Sequence, residues 1–209
     1  MLGGDSDWRC RPEPKTVPSG IAEIDLPRGC LTEIIGAGSS GRATIMAAIL
    51  AEATAREEFC ALVDAEDAFD PASAESAGVC LSRLLWVRCG HNAEHALRAA
   101  DLLVQGGGFG VVALDLGDTA PASARRIPLA CWFRLRRAVE HTPTVLVAVA
   151  RQSNAKTCAA LELECARERT EWSGARPGRL LRGVRVRASH SRGHSRRLLC
   201  SPVFTAKAI

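Results

Sequence analysis

The chain has 209 residues and a mass of 22.3 kDa, enough for one well-formed core with little left for a second domain. A hydrophobic fraction of 47% excludes a disordered chain, and no apolar run approaches the ~18 residues of a membrane span. Leu2-Gly3-Gly4-Asp5 is acidic and glycine-rich, unlike a signal peptide, so a cytoplasmic protein with no membrane contact is expected. The net charge of +4 is unevenly spread: residues 1–120 hold 9 basic and 18 acidic residues, and residues 121–209 hold 18 basic and 5 acidic. Nearly all the C-terminal positive charge is arginine, whose planar fork suits carboxylate, phosphate and protein-interface contacts. That half is expected to meet an acidic protein surface or to touch DNA weakly and non-specifically, unless it only matches the acidic half.

Residues 1–17 are polar and proline-rich and are expected to form a flexible lead-in. Cys30–Ile35 reads as a strand ended by a glycine-rich turn, and Ile45–Arg56 follows with helical spacing. Phe59–Val63 is an apolar strand delivering Asp64 and Glu66 at its end. Pro71 opens a helix that Gly78 closes. Leu84–Val87 is another strand, and His91–Gln105 a helix stopped by Gly106-Gly107-Gly108. Phe109–Leu114 is a nearly continuous apolar strand ending at Asp115, as in a parallel sheet covered on both faces. Ile127–Glu140 is a helix, and Val145–Val149 a further strand. Leu161–Trp172 reads as a helix or an edge segment, and Leu180–Ala188 as one or two strands at a basic edge. The alternation predicts an α/β fold with a mostly parallel central sheet flanked by helices, and a C-terminal strand or hairpin extension. The organisation expected is one core domain over 18–188 with a basic tail over 189–209.

The nine cysteines include no close C-x-x-C pair, and their odd number speaks against a complete disulfide framework. No histidine joins them at ligand spacing, so reduced thiols and no metal centre are expected.

The most informative segment is Gly36-Ala37-Gly38-Ser39-Ser40-Gly41-Arg42-Ala43-Thr44. Its glycines match a phosphate-binding loop, in which backbone N–H groups hold phosphates, a lysine reaches the outer phosphates and the next hydroxyl binds Mg²⁺. Here Arg42 replaces the lysine and Ala43 the hydroxyl residue, while Thr44 comes one place late. Efficient hydrolysis is therefore not expected, and no cofactor is expected to be required, ATP or ADP with Mg²⁺ being what an intact loop would take. Asp115 and Glu66 each end a strand where a magnesium-organising carboxylate and a general base would stand. Both are also ordinary places for a cap or an ion pair. Asp64 and Asp70 suit local turn caps.

Taken together, these residues resemble the RecA family. The resemblance runs from Pro18-Ser19-Gly20-Ile21 through Leu26-Pro27-Arg28-Gly29, the 36–44 loop, Leu62-Val63-Asp64-Ala65-Glu66, Phe69-Asp70-Pro71 and Val111–Asp115. It implies a RecA-like nucleotide-hydrolase core over about residues 18–188. It also implies Glu66 as the catalytic glutamate, Asp70 beside the adenine, Asp115 at the metal and Gln152 as the nucleotide-sensing glutamine. The stacking tyrosine would fall near Ser73, and the chain has no tyrosine. A closer likeness is to the ImuA family of RecA-like accessory proteins, related to the SulA-type division inhibitors. It rests on the Arg125–Ala138 helix and on Leu180–Arg187. That likeness implies a non-catalytic adaptor in damage-inducible translesion synthesis. Its partners would be an ImuB-like Y-family polymerase homologue, an error-prone C-family DNA polymerase and RecA itself. Trp132, Phe133, Arg136 and Arg137, or Arg182, Arg185 and Arg187, are the contact residues expected, with core packing the alternative for the two aromatics. The alternatives are a DNA-dependent ATPase of the RecA type and a SulA-like inhibitor.

Overall fold

The computed structural model describes residues 14–21, 24–174, 180–193 and 203–207, with side chains through 174 and at 185–189. Among them, the elements run β1 (Thr16–Pro18), β2 (Asp25–Pro27), β3 (Cys30–Ile35), α1 (Arg42–Ala55), β4 (Cys60–Asp64), α2 (Pro71–Ser76) and β5 (Leu84–Arg88). They continue α3 (Ala93–Gly106), β6 (Val111–Asp115), α4 (Pro121–Arg125), α5 (Leu129–Val139), β7 (Val145–Ala150), β8 (Leu161–Ser173), β9 (Leu180–Gly193) and β10 (Val203–Lys207). An eight-stranded sheet has the order β10-β9-β8-β3-β7-β6-β4-β5. The pairings from β5 through β8 are parallel, and β9 and β10 are added antiparallel.

The central strands are apolar without interruption because both their faces are covered. Val111 and Ala113 of β6 face one core with Ile34, Ile45, Ile49 and Leu62, on the α1 side. Val112 and Leu114 face a second core with Leu97 and Ala100 of α3 and Trp132 and Leu135 of α5. Each helix buries the stripe that its spacing sets out: Ile45, Ile49 and Ala53 on α1, Ala96, Ala100 and Val104 on α3, Trp132, Leu135 and Val139 on α5. The side chain of Asn92 caps α3 by accepting from the N–H groups of Glu94 and His95.

Three sequence expectations change. Thr16–Pro18 pairs antiparallel with Asp25–Pro27, so the flexible lead-in does not extend through residue 17. Leu161–Trp172 is neither a helix nor an outer edge: β8 runs parallel to β3 on one side and antiparallel to β9 on the other. The sheet also continues past residue 188, because β9 extends to Gly193 and Val203–Lys207 returns to pair with its 183–187 segment. Of the seven described cysteines, none of them in a disulfide, Cys60, Cys158 and Cys165 are buried, Cys30, Cys89 and Cys131 half-buried and Cys80 exposed.

Candidate phosphate-loop site

Parallel strands with their connections on both faces leave a crevice at the carboxyl ends of the strands, where such folds place their ligands. In register, Asp64 lies opposite Asp115, Asp115 opposite Val149, and Ile35 opposite Ala150. The glycine-rich loop leaves β3 at this edge. A Cβ on Gly36 would lie 2.5 Å from both the Cys165 carbonyl oxygen and Ser40 Oγ. Gly41 has φ +96° and caps α1, and a Cβ there would run into the side chain of Val186. The two outer glycines are thus required by the close packing of β8 and β9 under the loop. Ala37, Gly38 and Ser39 form its exposed crest, Ala43 is exposed and Thr44 half-buried, while Ser40 is buried.

Arg42 does not extend towards the crest. Its side chain is 7% exposed, and Nη1 donates to the Gly117 carbonyl at 3.0 Å. The same carbonyl accepts from Arg151 Nε at 3.2 Å, and the Gly117 N–H donates to Asp115 Oδ1 at 2.7 Å. Burial lowers the Arg42 pKa, opposed by the carboxylates of Asp115 and Asp118. Burial likewise pushes Asp115 up to about 6, with Asp64 and Asp118 adding to the rise and the Gly117 N–H and Arg42 opposing it. The residues where a magnesium ion would sit in the family do not suit one. Ala43 has no side-chain oxygen, Asp115 Oδ1 already accepts from the Gly117 N–H, and the Arg42 guanidinium stands beside it. The start of α1 has no side-chain cap and no acidic residue in its first turn, and the guanidiniums of Arg42 and Arg151 behind it are matched by Asp115 and Asp118.

Glu66 is also engaged. Thr119 Oγ1 donates to its Oε1 at 2.8 Å, and His91 Nδ1 lies 3.0 Å from Oε2. Glu66, His91, Asn92, Thr119 and Ser123 line a cavity of about 290 Å³. Asp64 braces the following turn, accepting from the N–H groups of Ala68 and Phe69 and from Trp86 Nε1. Asp70 is the N-cap of α2, accepting from the Ala72 and Ser73 N–H groups. Gln152 Oε1 accepts from Arg125 at 3.0 Å. Glu66, Asp70 and Gln152 therefore each hold neighbouring structure. Among the described residues no group of three or more histidine, cysteine or carboxylate side chains could hold a metal.

The residues expected to touch a partner divide. Trp132 is 1% exposed and belongs to the core on the α3 side, so its assignment to a contact surface is corrected. Its place with Leu135 and Val139 at helical spacing was the signal available. Phe133 and Arg137 are exposed and Arg136 half-buried. Arg185 pairs with Glu171 at 3.6 Å and Arg187 with Glu168, on the separate β8–β9 hairpin. The Arg182 side chain lies outside the described residues. Sequence reasoning missed Arg151, Gly117 and the buried Glu33, which no motif marks.

A mostly parallel sheet of this order, with a glycine-rich loop after β3 and carboxylates ending β4 and β6, defines a RecA-like α/β core. The profile of the RecA N-terminal domain matches residues 16–123, and the chain belongs to that family. The RecA protein of Mesorhizobium japonicum is 32% identical over 156 residues, 65% of this chain and 42% of that protein. That of Methylococcus capsulatus is 42% identical over 106 residues, 47% of this chain and 30% of that one. That of Rhodospirillum rubrum is 46% identical over 90 residues, 43% of this chain and 24% of that one. The chain thus spans about two-fifths or less of the length of these relatives. No helix among the described residues is long and apolar enough to cross a membrane.

Proposed function

We propose that this RecA-family chain is a non-hydrolysing accessory protein of damage-inducible translesion DNA synthesis, of the ImuA type. In this role it holds an ImuB-like polymerase homologue and, with it, an error-prone C-family polymerase. The observation that supports the non-hydrolysing part of this reading is Arg42, the accessory role itself resting on the likeness of the Arg125–Ala138 and Leu180–Arg187 segments to the ImuA family. The Arg42 guanidinium is turned down onto the Gly117 carbonyl beside Asp115, away from the loop crest where a lysine would meet the outer phosphates. With Ala43 next to it, the site offers charge but neither the metal shell nor the mobile cation that phosphoryl transfer needs. Loss of one transition-state contact already costs about 2.7–4 kcal/mol, and here two are missing.

A DNA-dependent ATPase of the RecA type is the second reading. It is supported by the similarity to RecA proteins, by Asp115 ending β6 and by Glu66 standing two residues past the end of β4. Calorimetric titration with ATP and ADP, with and without Mg²⁺, separates the two when combined with a turnover assay on single-stranded DNA. The accessory reading expects no turnover, any nucleotide binding unchanged by chelating Mg²⁺, and co-purification with the ImuB-like protein. Mg²⁺-dependent, DNA-stimulated hydrolysis would establish the second reading instead.

A further inference from the structure

The face of the molecule formed by α3 and α5 carries three of the six large apolar side chains exposed among the described residues. Between the two helices runs an open groove of about 600 Å³, lined by Gln105, Ala130, Phe133, Arg134, Arg137 and Ala138. Ala130, Arg134 and Ala138 form one ridge of α5 at i, i+4, i+8 spacing, and the two alanines leave the hollow open on either side of the arginine. Phe133 is 43% exposed, Leu129 one turn before it is 40% exposed, and Leu102 on α3, one turn before Gln105, is 71% exposed. Three large apolar side chains on two neighbouring helices therefore meet solvent beside an unfilled groove.

Its charge leans basic, four arginines standing against three carboxylates on the two helices and the α5 C-cap. α3 carries two carboxylates, and both are matched within this layer, Glu94 by Arg98 at 2.7 Å and Asp101 by Arg134 at 3.1 Å. α5 adds Arg136 and Arg137, with Glu140 at its C-cap. Among the described ion pairs Arg137 has no acidic partner, and it stands on the groove wall next to Phe133.

We propose that this groove docks an acidic amphipathic helix of a partner protein, its apolar stripe on Phe133, Ala130 and Ala138 and its carboxylates on Arg137. This rests on the reading of the chain as an adaptor and gives that reading a surface and a partner chemistry. A groove between two helices accepts a third by receiving its side-chain ridge. An exposed aromatic beside an arginine is the usual composition of a strong protein anchor. Nucleic acid would use the guanidiniums but leave the alanine-floored hollow and the leucines uncovered.

The test is fluorescence anisotropy with a labelled synthetic amphipathic helix of about 18 residues, leucines at i, i+4, i+7 spacing and glutamates flanking them. A second peptide carries lysine for each glutamate, and a single-stranded oligonucleotide serves as competitor. Saturable binding of the glutamate peptide is expected, weakened about tenfold or more by Phe133→Ser and by Arg137→Glu. The Arg137→Glu protein should shift its preference towards the lysine peptide, a charge swap that no folding defect would produce. Equal binding of both peptides, no saturable binding, or displacement by the oligonucleotide would overturn the proposal. Co-purification with the ImuB-like protein is run in parallel. If wild type and Phe133→Ser co-purify equally, this face is wrong while the adaptor reading stands. If the peptide binds as expected and nothing co-purifies, the groove stands and the adaptor reading fails.

Discussion

Arg42 illustrates what a guanidinium does at the start of α1. A lysine has a compact ammonium that can stand free at the mouth of a loop, whereas a guanidinium has five donors to satisfy and seeks planar acceptors. Arg42 finds one in Gly117, and the same peptide unit holds Asp115 through its N–H. Asp115 is left buried near other carboxylates, with a pKa of about 6, above the ordinary value of about 3.9. Because its folded pKa is raised, the native state binds the extra proton. Its stabilising contribution is complete below about pH 4 and is lost as pH rises through about 6. Urea unfolding should therefore show wild type losing stability relative to Asp115→Asn between pH 4 and 6.5. A pH-independent difference between the two would refute the assignment.

The glycines of the loop could be read directly, since a phosphate loop demands them by spacing. The orientation of Arg42 could not, because its acceptor is 75 residues away in sequence. Trp132 and Phe133 teach the complementary lesson. Adjacent helical positions differ by about 100° in direction, so one of the pair must face the core and the other solvent. The period Trp132, Leu135, Val139 says which, without any tertiary information.

At the scale of elements, the segment after β7 shows what holds this edge of the sheet. Glu33 sits fully buried in β3 and its Oε1 accepts from the N–H groups of Asn154 at 2.7 Å and Ala155 at 3.1 Å. Ser153 Oγ lies between Glu33 Oε2 and Glu162 Oε2, at 3.2 and 2.5 Å. Burial raises the Glu33 pKa, against the three hydrogen bonds and with the help of Glu162. The loop carrying Gln152 is thereby tied to the core strand. Glu33→Ala leaves two buried N–H groups without an acceptor, at roughly 1–3 kcal/mol each. A loss of a few kcal/mol and fast hydrogen exchange at Asn154 and Ala155 are expected. Glu33→Gln, which keeps an acceptor oxygen, should lose less, and equal effects of the two would argue against this role.

The misreading of Leu161–Trp172 has the same physical origin. Its first residues alternate as a strand should, but from Ala166 to Arg169 every side chain is exposed, so no period survives. A strand that projects beyond the helical layers has no buried face to mark it, and only pairing with β3 and β9 defines it.

Across the whole molecule, the segment matched to the RecA N-terminal domain ends at residue 123, before α5 and four of the strands. The later strands are structural members of the same core. Leu161, Leu163 and Cys165 of β8 and Val186 and Ala188 of β9 join the cluster that contains Ile34 and Ile45, and Val186 packs on Gly41 at the loop itself. A chain ending at residue 160 would open the β3 edge and uncover that cluster. Such a truncation is expected to lose cooperative thermal unfolding and to aggregate in size measurements. A cooperative melt near that of the full chain would show the extension to be dispensable.

Apolar runs, glycine spacing and helical period are local quantities, and they alone specify the parallel core, the loop and the strand-ending carboxylates. Where those groups point depends on partners brought in from distant parts of the chain. Arg42 turned onto Gly117, Glu33 clasping residues 153–155, and Phe133 left bare beside a groove are decided by packing and by the need of buried polar groups for hydrogen-bond partners. Those demands are met across the fold, and no window of sequence contains both sides of them.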